Sequence, residues 1–116
     1  MPWQVAVYVD EKGSCPVEEF LDSIPVSHRA KVTQRIWMLA ELGPNLPFPY
    51  SSQVEGGLRE LRAKYGNAQY RVLYYGDKNR AFVLLHAFLK KTEEIPEREK
   101  ALALKRMTAD QQTKGS

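Results

Sequence analysis

The stretch LRELRAKYGNAQYRVLYYGDKNRAFVLLHAFLKK, residues 58–91, decides the fold of this chain. It contains three runs rich in leucine, β-branched and aromatic residues, separated by Gly66-Asn67 and by the GDKN segment at residues 76–79. Apolar runs bounded by such turn-forming residues predict antiparallel strands joined by tight connections. The stretch is therefore predicted to form a three-stranded meander.

The flanking sequence predicts one strand, two helices and a loop before the meander, and one helix after it. Proline suits the first position of a helix, and a Gly-Pro pair or a proline ends one. The predicted elements are an edge strand over residues 3–9, a helix from Pro16 to the residue before Pro25, a helix from Ser27 to Gly43-Pro44, a Pro-rich surface connection over residues 43–57 and a helix opened by Pro96, with residues 111–116 as a frayed tail.

This order, β-α-α-β-β-β-α, predicts a single α+β domain spanning residues 1–116, because a chain of this length builds one core. Two helices between the first strand and the meander can cover one face of an antiparallel sheet and leave the other face partly open for a ligand. Alternation places Arg71, Leu73 and Tyr75 on one face of the middle strand, and Tyr70, Val72 and Tyr74 on the other. We expect Arg71 to be exposed on the open face.

Composition excludes several classes of protein. The apolar fraction of 43% and the charged fraction of 27% are those of an ordinary globular domain. The longest nearly apolar run, residues 81–89, is about half the length of a membrane span, and the N-terminus has no export signal. Cys15 has no disulfide partner, and with His28 and His86 it shows no metal-ligand spacing. We expect a cytoplasmic protein with no membrane, metal or cofactor partner.

The positive charge is concentrated in the middle of the chain. Residues 1–58 carry 4 Lys/Arg and 7 Asp/Glu, and residues 92–116 carry 5 of each, whereas residues 59–91 carry 8 Lys/Arg and 2 Asp/Glu, a net charge of +6. Such clustering is typical of a surface that binds polyanions, since phosphate contacts supply most of the sequence-independent affinity for nucleic acids. The alternative is a sheet face whose charges only keep the protein soluble.

Four segments together resemble the phage-derived, HigB-like toxins of the RelE superfamily: GLRELR at residues 57–62, YRVLYY at 70–75, VLLHAFLKKT at 83–92 and the end of the last helix at 103–107. The resemblance covers roughly residues 3–110 and implies the RelE-like β-α-α-β-β-β-α fold. It also implies the toxin of a type II toxin–antitoxin module: a metal-independent endoribonuclease that cleaves mRNA on the translating ribosome. Its implied protein partner is a cognate helix-turn-helix antitoxin.

Cleavage of RNA without a metal requires a base for the 2′-OH, cations for the charge on the phosphorane and an acid for the 5′-oxygen. Arg71 falls where the resemblance places a phosphate-stabilising arginine, and Lys91 falls near a second basic position. Arg62 is the third candidate. Each of the three could instead be a solvated or salt-bridged strand residue.

The group that transfers the proton has two candidates. His86 is the one histidine inside the basic region, which suits a general acid or base. However, it shares a predicted strand face with Phe82, Leu84 and Phe88, so a packed histidine bonded to a backbone carbonyl fits equally well. Lys64 is the alternative base, provided that crowding by neighbouring cations frees its amine.

Other residues are candidates for holding RNA. Aromatic rings stack on unpaired bases, and cations bind the backbone. The predicted RNA-binding residues are Arg59, Lys64, Tyr65, Phe88 and Lys90. Trp3 and Trp37 are expected in the core, and His28 is expected on the surface.

Three other functions remain open. The chain could be a ParE-like toxin of the same fold that poisons gyrase, a non-catalytic nucleic-acid or protein-binding module, or an inactive phage remnant. The presence of Arg62, Arg71 and Lys91 favours cleavage, because the gyrase-poisoning relatives tend to lack the full basic set.

Overall fold

A computed structural model describes residues 3–114, which form a five-stranded sheet and three helices. In chain order the elements are β1 (Gln4–Val7), α1 (Pro16–Ser23), α2 (Val26–Leu42), a 3-10 turn (Gly43–Asn45), β2 (Ser51–Glu55), β3 (Leu58–Tyr65), β4 (Ala68–Gly76), β5 (Ala81–Lys90) and α3 (Glu97–Thr113). The predicted meander, the edge strand and the three helices are confirmed, and the architecture is α+β. None of the helices within residues 3–114 is both long and apolar enough to cross a membrane.

The sheet is mixed, so the prediction of a purely antiparallel sheet is wrong. Its strand order is β1-β5-β4-β3-β2, and β1 runs parallel to β5 with Gln4 opposite Ala81. The remaining pairs are antiparallel. Helices α1 and α2 connect β1 to β2 at the opposite edge of the sheet. The antiparallel strands β2 to β5 then lead back across the sheet, so β5 lies beside β1 and runs parallel to it.

Strand β2 was missing from the sequence-based prediction, which treated residues 43–57 as an irregular connection. All three prolines of this segment precede Ser51, so no residue of β2 lacks a backbone N–H. The strand pairs with β3, with Ser51 opposite Leu61, and Gly56-Gly57 forms the turn between them. The short length of β2 leaves the far end of β3 as a free edge.

Helices pack on both faces of the sheet, which corrects the prediction of helices on one face. The first face packs against α1 and α2 through a core that includes Val17, Leu39 and Val72. The second face packs against α3, with Leu73, Tyr75 and Val83 beneath Ala103. The predicted alternation along β4 is confirmed, since Tyr70, Val72 and Tyr74 lie in the first core and Leu73 and Tyr75 in the second.

A bulge in β5 changes which way His86 faces. Leu73 is opposite His86, but the next residue, Tyr74, is opposite Leu84. Phe82 and Leu84 therefore lie in the core under α1 and α2, whereas His86 and Phe88 lie on the face of α3. The expectation that these four residues share one face is wrong, because a bulge inserts one residue and breaks the alternation.

Two features concern the C-terminal ends of helices α3 and α2. Helix α3 continues to Thr113, so the predicted frayed tail is wrong up to that residue, and residues 115 and 116 lie outside the described part. Gly43, at the C-terminus of α2, has φ +55° and lies against the indole ring of Trp3. Trp3, predicted in the core, is partly buried and packs against the core on Phe82.

Candidate functional site

Arg71 is buried on the sheet face that carries α3, at the end that the helix leaves uncovered. Its relative exposure is 6%, and its Nε lies 2.8 Å from Oε1 of Glu60 on β3. The Nε–H does not point along this line, so the contact is an ion pair rather than a directed hydrogen bond. Nη1 donates to the Tyr70 carbonyl at 3.0 Å. The expectation of an exposed Arg71 is therefore wrong: Glu60, opposite Leu73, lies on the same face and binds the guanidinium.

Two opposing effects act on the charge of Arg71. Burial lowers the pKa of Arg71, and Arg62 lowers it further, whereas the Glu60 carboxylate raises it. The net pKa is below the ordinary value for arginine, but the guanidinium stays protonated at physiological pH because arginine begins so high. Arg71 is therefore a buried cation whose charge is partly neutralised by the Glu60 carboxylate.

Arg62 is directly opposite Arg71 and is the more accessible of the two. Its side chain is 31% exposed, and Nη2 lies 3.3 Å from Glu60 Oε2 and 3.4 Å from the Ser52 hydroxyl. Its Cζ lies 5.0 Å from the centroid of the Phe48 ring. Arg62 Nε–H is buried and has no acceptor within residues 3–114, and the contacts with Ser52 and Glu60 both use Nη2, so Nη1 is the group that keeps donor capacity for a ligand.

A basic pocket, the feature we call the edge pocket, lies at the free edge of β3. It has a volume of about 250 Å³ and is lined by Arg35, Pro49, Tyr50, Arg62, Ala63, Lys64, Gln69 and Arg71. Four of these residues are cationic, and none of the lining residues in the described part of the chain is acidic. The guanidinium of Arg35 stacks over the Tyr50 ring at 4.9 Å, which holds it at the pocket wall. The arrangement suits an anionic group such as a phosphate.

Lys90 and Lys91 lie in a neighbouring groove rather than in the edge pocket. The groove, about 810 Å³ in volume, is also lined by Asn67, Gln69 and Thr92, and Gln69 borders the edge pocket as well. Gln69 is opposite Lys90 across the β4–β5 ladder. A chain-like polyanion could therefore continue from one depression into the other.

His86 is held between two residues of α3 and stands apart from the edge pocket. Its Nε2 lies 2.6 Å from Glu99 Oε1, and its Nδ1 lies 3.1 Å from Arg106 Nη1. A guanidinium only donates, so Nδ1 accepts and the ring proton sits on Nε2. Burial lowers the pKa of His86, and this effect outweighs the raising influence of Glu99. In this arrangement His86 is neutral and links β5 to α3.

The remaining predicted RNA-binding residues have different surroundings. Phe88 is 5% exposed and stacks on His86, so the expectation of a free stacking platform is wrong for this residue. Arg59 donates to the Ser51 hydroxyl, which also bonds Tyr74 in the core under α2, so Arg59 lies on the face opposite Arg62. The structure thus separates both residues from the edge pocket.

Two predictions about α2 are also wrong. His28 is half-buried: its Nδ1 lies 2.6 Å from the Tyr70 hydroxyl and its ring packs against Tyr65 at 4.5 Å. Tyr65 is 44% exposed, so one side of this predicted platform remains accessible. Trp37, predicted in the core, is 61% exposed, because the neighbouring position Ile36 is the one that packs inward.

A comparison with protein-family models identifies the family. The model described as "Phage derived protein Gp49-like (DUF891)" matches residues 19–108, about three-quarters of the chain. The chain belongs to this Gp49-like family. The family is one of phage-derived, toxin-like proteins in the RelE group. A search of the curated proteins gives no match.

In this Gp49-like protein, sequence reasoning overlooked three residues at the edge pocket. Arg35 lies on α2, outside the basic stretch of residues 59–91, and only the fold brings it beside β3. Glu60 entered the sequence analysis only as a negative charge in the net charge of residues 59–91, whereas in the structure it is the ion-pair partner of Arg71. Phe48 lies in the Pro-rich loop that was treated as a plain connection. The LRELR pattern was the available signal for Glu60, because it places that carboxylate on the same strand face as Arg62.

Proposed function

We propose that this Gp49-like protein is the toxin of a type II toxin–antitoxin module, a HigB-like, metal-independent endoribonuclease that cleaves mRNA on the ribosome in the cytoplasm. Its proposed protein partner is a cognate helix-turn-helix antitoxin. The observation that carries the proposal is the edge pocket, where Arg35, Arg62, Lys64 and Arg71 line one small depression. Family membership and the clustered positive charge of residues 59–91 support it.

In the proposed reaction the scissile phosphate enters the edge pocket, and the RNA 2′-OH gives its proton to a water molecule as its oxygen attacks the phosphorus. The bond from phosphorus to the 5′-oxygen breaks, and a 2′,3′-cyclic phosphate forms. Arg62 has free donor capacity and an accessible side chain, so it would bind the phosphate oxygens as negative charge develops. Arg71 lies behind it and would contribute mainly field, because Glu60 already occupies one side of its guanidinium. Lys64 is exposed, and its ammonium could protonate the departing 5′-oxygen.

The neighbouring groove would hold the RNA backbone on one side of the cleavage point. Lys90 and Lys91 line that groove, and Gln69 connects it to the edge pocket. Contacts of this kind set the position of the strand without reading its sequence. In this scheme Lys91 binds RNA rather than taking part in the chemical step.

The test is to induce the wild-type chain, Arg62→Ala and the control Lys78→Ala in a bacterium that lacks any antitoxin, and to map new mRNA 5′ ends. Lys78 lies exposed in the β4–β5 turn, so its removal matches the loss of charge without touching the pocket. We expect new ends inside coding regions with wild type and Lys78→Ala, and their loss with Arg62→Ala. Circular dichroism of the purified variants would verify that each is folded.

A second candidate, binding of nucleic acid without cleavage, is favoured by one observation. Both ring nitrogens of His86 are occupied by Glu99 and Arg106, so the histidine of the basic region is not free to move a proton. RNA binding without new 5′ ends would support this candidate. Growth arrest without new ends or RNA binding would instead support a gyrase-poisoning toxin.

A further inference from the structure

An exposed aromatic ring stands beside the edge pocket in a loop that is anchored on both sides. Phe48 is 70% exposed, whereas Leu46 is 3% exposed and packs in the core under α2. On the other side, the amide of Tyr50 donates to the Pro47 carbonyl at 2.9 Å, and the Tyr50 carbonyl accepts from Arg62 N–H at 2.8 Å. The loop is thus tied to both the core and β3, and it holds a large apolar side chain in solvent.

Arg62 packs against this ring and leaves much of the ring surface open. Its Cζ lies 5.0 Å from the ring centroid, a cation–π distance, and Ser52 and Glu60 hold the same guanidinium by Nη2. The cation and the ring therefore support one another in fixed positions. An exposed ring beside a cation is an arrangement that proteins use to stack an unpaired nucleobase.

The size of the edge pocket determines which part of a nucleotide fits there. Its volume of about 250 Å³ is below the roughly 300–1,000 Å³ of pockets that enclose a whole small ligand. A phosphate group could enter while its base stays outside. Pro49, the residue after Phe48, lines the pocket, so a base outside the pocket would meet the Phe48 ring.

We infer that Phe48 is the stacking platform for an unpaired base of single-stranded RNA, the neighbouring phosphate of which binds Arg35, Arg62 and Lys64 in the edge pocket. The inference rests on the proposed function and goes beyond it, because it names the form of RNA that the site accepts. Bases in a duplex already stack on one another and are not free to cover Phe48.

The test measures the binding of a fluorescein-labelled RNA with 2′-O-methyl sugars, which cannot be cleaved, by fluorescence anisotropy at a fixed low salt concentration. The proteins are wild type, Phe48→Leu, Phe48→Trp, Arg62→Ala and the control Trp37→Leu. Trp37 is a matched control because it is an exposed aromatic residue that does not line the edge pocket. The same RNA annealed to its complement serves as the duplex ligand.

We expect Phe48→Leu to weaken binding of the single strand by roughly 5- to 140-fold, the range found for loss of one base–aromatic stack. Phe48→Trp should restore the affinity for the single strand. Trp37→Leu should bind the single strand as wild type does, and Phe48→Leu should bind the duplex as wild type does. Wild-type affinity of Phe48→Leu for the single strand would overturn the inference and leave Phe48 as a surface for a protein partner. The inference would also be overturned if Trp37→Leu lost as much affinity for the single strand, or if Phe48→Leu lost as much affinity for the duplex. If the wild-type chain binds neither RNA, both this inference and the proposed function fail. If it binds and only Arg62→Ala reduces binding, the proposed function stands without the stacking platform.

Discussion

Removal of the Arg71 side chain should destabilise the fold rather than merely empty the site. The side chains of Arg71 and Glu60 are 7% and 10% exposed, and Arg71→Ala would leave the carboxylate buried without its closest cation. Breaking a buried ion pair in this way costs about 3–5 kcal/mol. Glu60 would keep the Ser52 hydroxyl at 2.9 Å and Arg62 at 3.3 Å, so we expect a loss near the lower end, about 3 kcal/mol.

The loss is measurable by urea unfolding followed by circular dichroism. With a slope of about 1.5 kcal/mol per M, within the usual range for small proteins, a loss of about 3 kcal/mol lowers the midpoint by about 2 M. The control is Lys64→Ala, which removes an exposed cation from the same pocket and should change stability by less than about 0.5 kcal/mol. Arg71→Met combined with Glu60→Leu should recover much of the loss, because it removes both charges of the buried pair, and Arg62, which also loses Glu60, is partly exposed to water.

The reasoning would be refuted by an Arg71→Ala protein that unfolds at the wild-type midpoint with an unchanged slope. Such a result would mean that Glu60 finds solvent or another partner without cost, and that Arg71 is not a structural residue. A growth assay on Arg71→Ala alone would not separate a lost catalytic group from a lost fold. This is the reason that Arg62, with its more exposed side chain, is the better probe of activity.

Three further predictions test other parts of the structure. Gly43→Ala should lower the free energy of unfolding by about 2 kcal/mol or more, measured in urea, because φ is +55° and a Cβ would overlap the Trp3 ring. Wild-type stability would contradict this. Because burial lowers the pKa of His86, this histidine takes up a proton at a higher pH in the unfolded state than in the folded state. The free energy of unfolding should therefore fall as pH drops below about 6.5, and this part of the loss should be absent in His86→Gln. A plot of the logarithm of the RNA association constant against the logarithm of salt concentration should have a slope of about −2 to −3. Lys64→Ala should reduce the size of that slope by about 0.7. A flat dependence would count against phosphate binding in the edge pocket.

Much of the fold could be read locally. Pro16, Pro25 and Gly43 mark helix boundaries within a residue or two, and the apolar runs of the meander appear as β3, β4 and β5. The two faces of β4 followed from simple alternation. By contrast, β2 was missed because its sequence, SSQVE, follows three prolines and contains one strand-forming residue, Val54. The β5 bulge was missed because no local pattern marks it.

The sequence by itself determined that this chain has an α+β arrangement with a basic meander, and its motifs indicated the toxin-like family. The tertiary structure decided which cations meet: Arg35 of helix α2 joins Arg62 and Lys64 of strand β3, whereas Arg71 is buried with Glu60. The physical reason is the separation along the chain between the residues that determine each property. Helix ends and strand alternation depend on neighbours within a few residues, but burial and the meeting of charges depend on contacts between segments that are far apart in the chain.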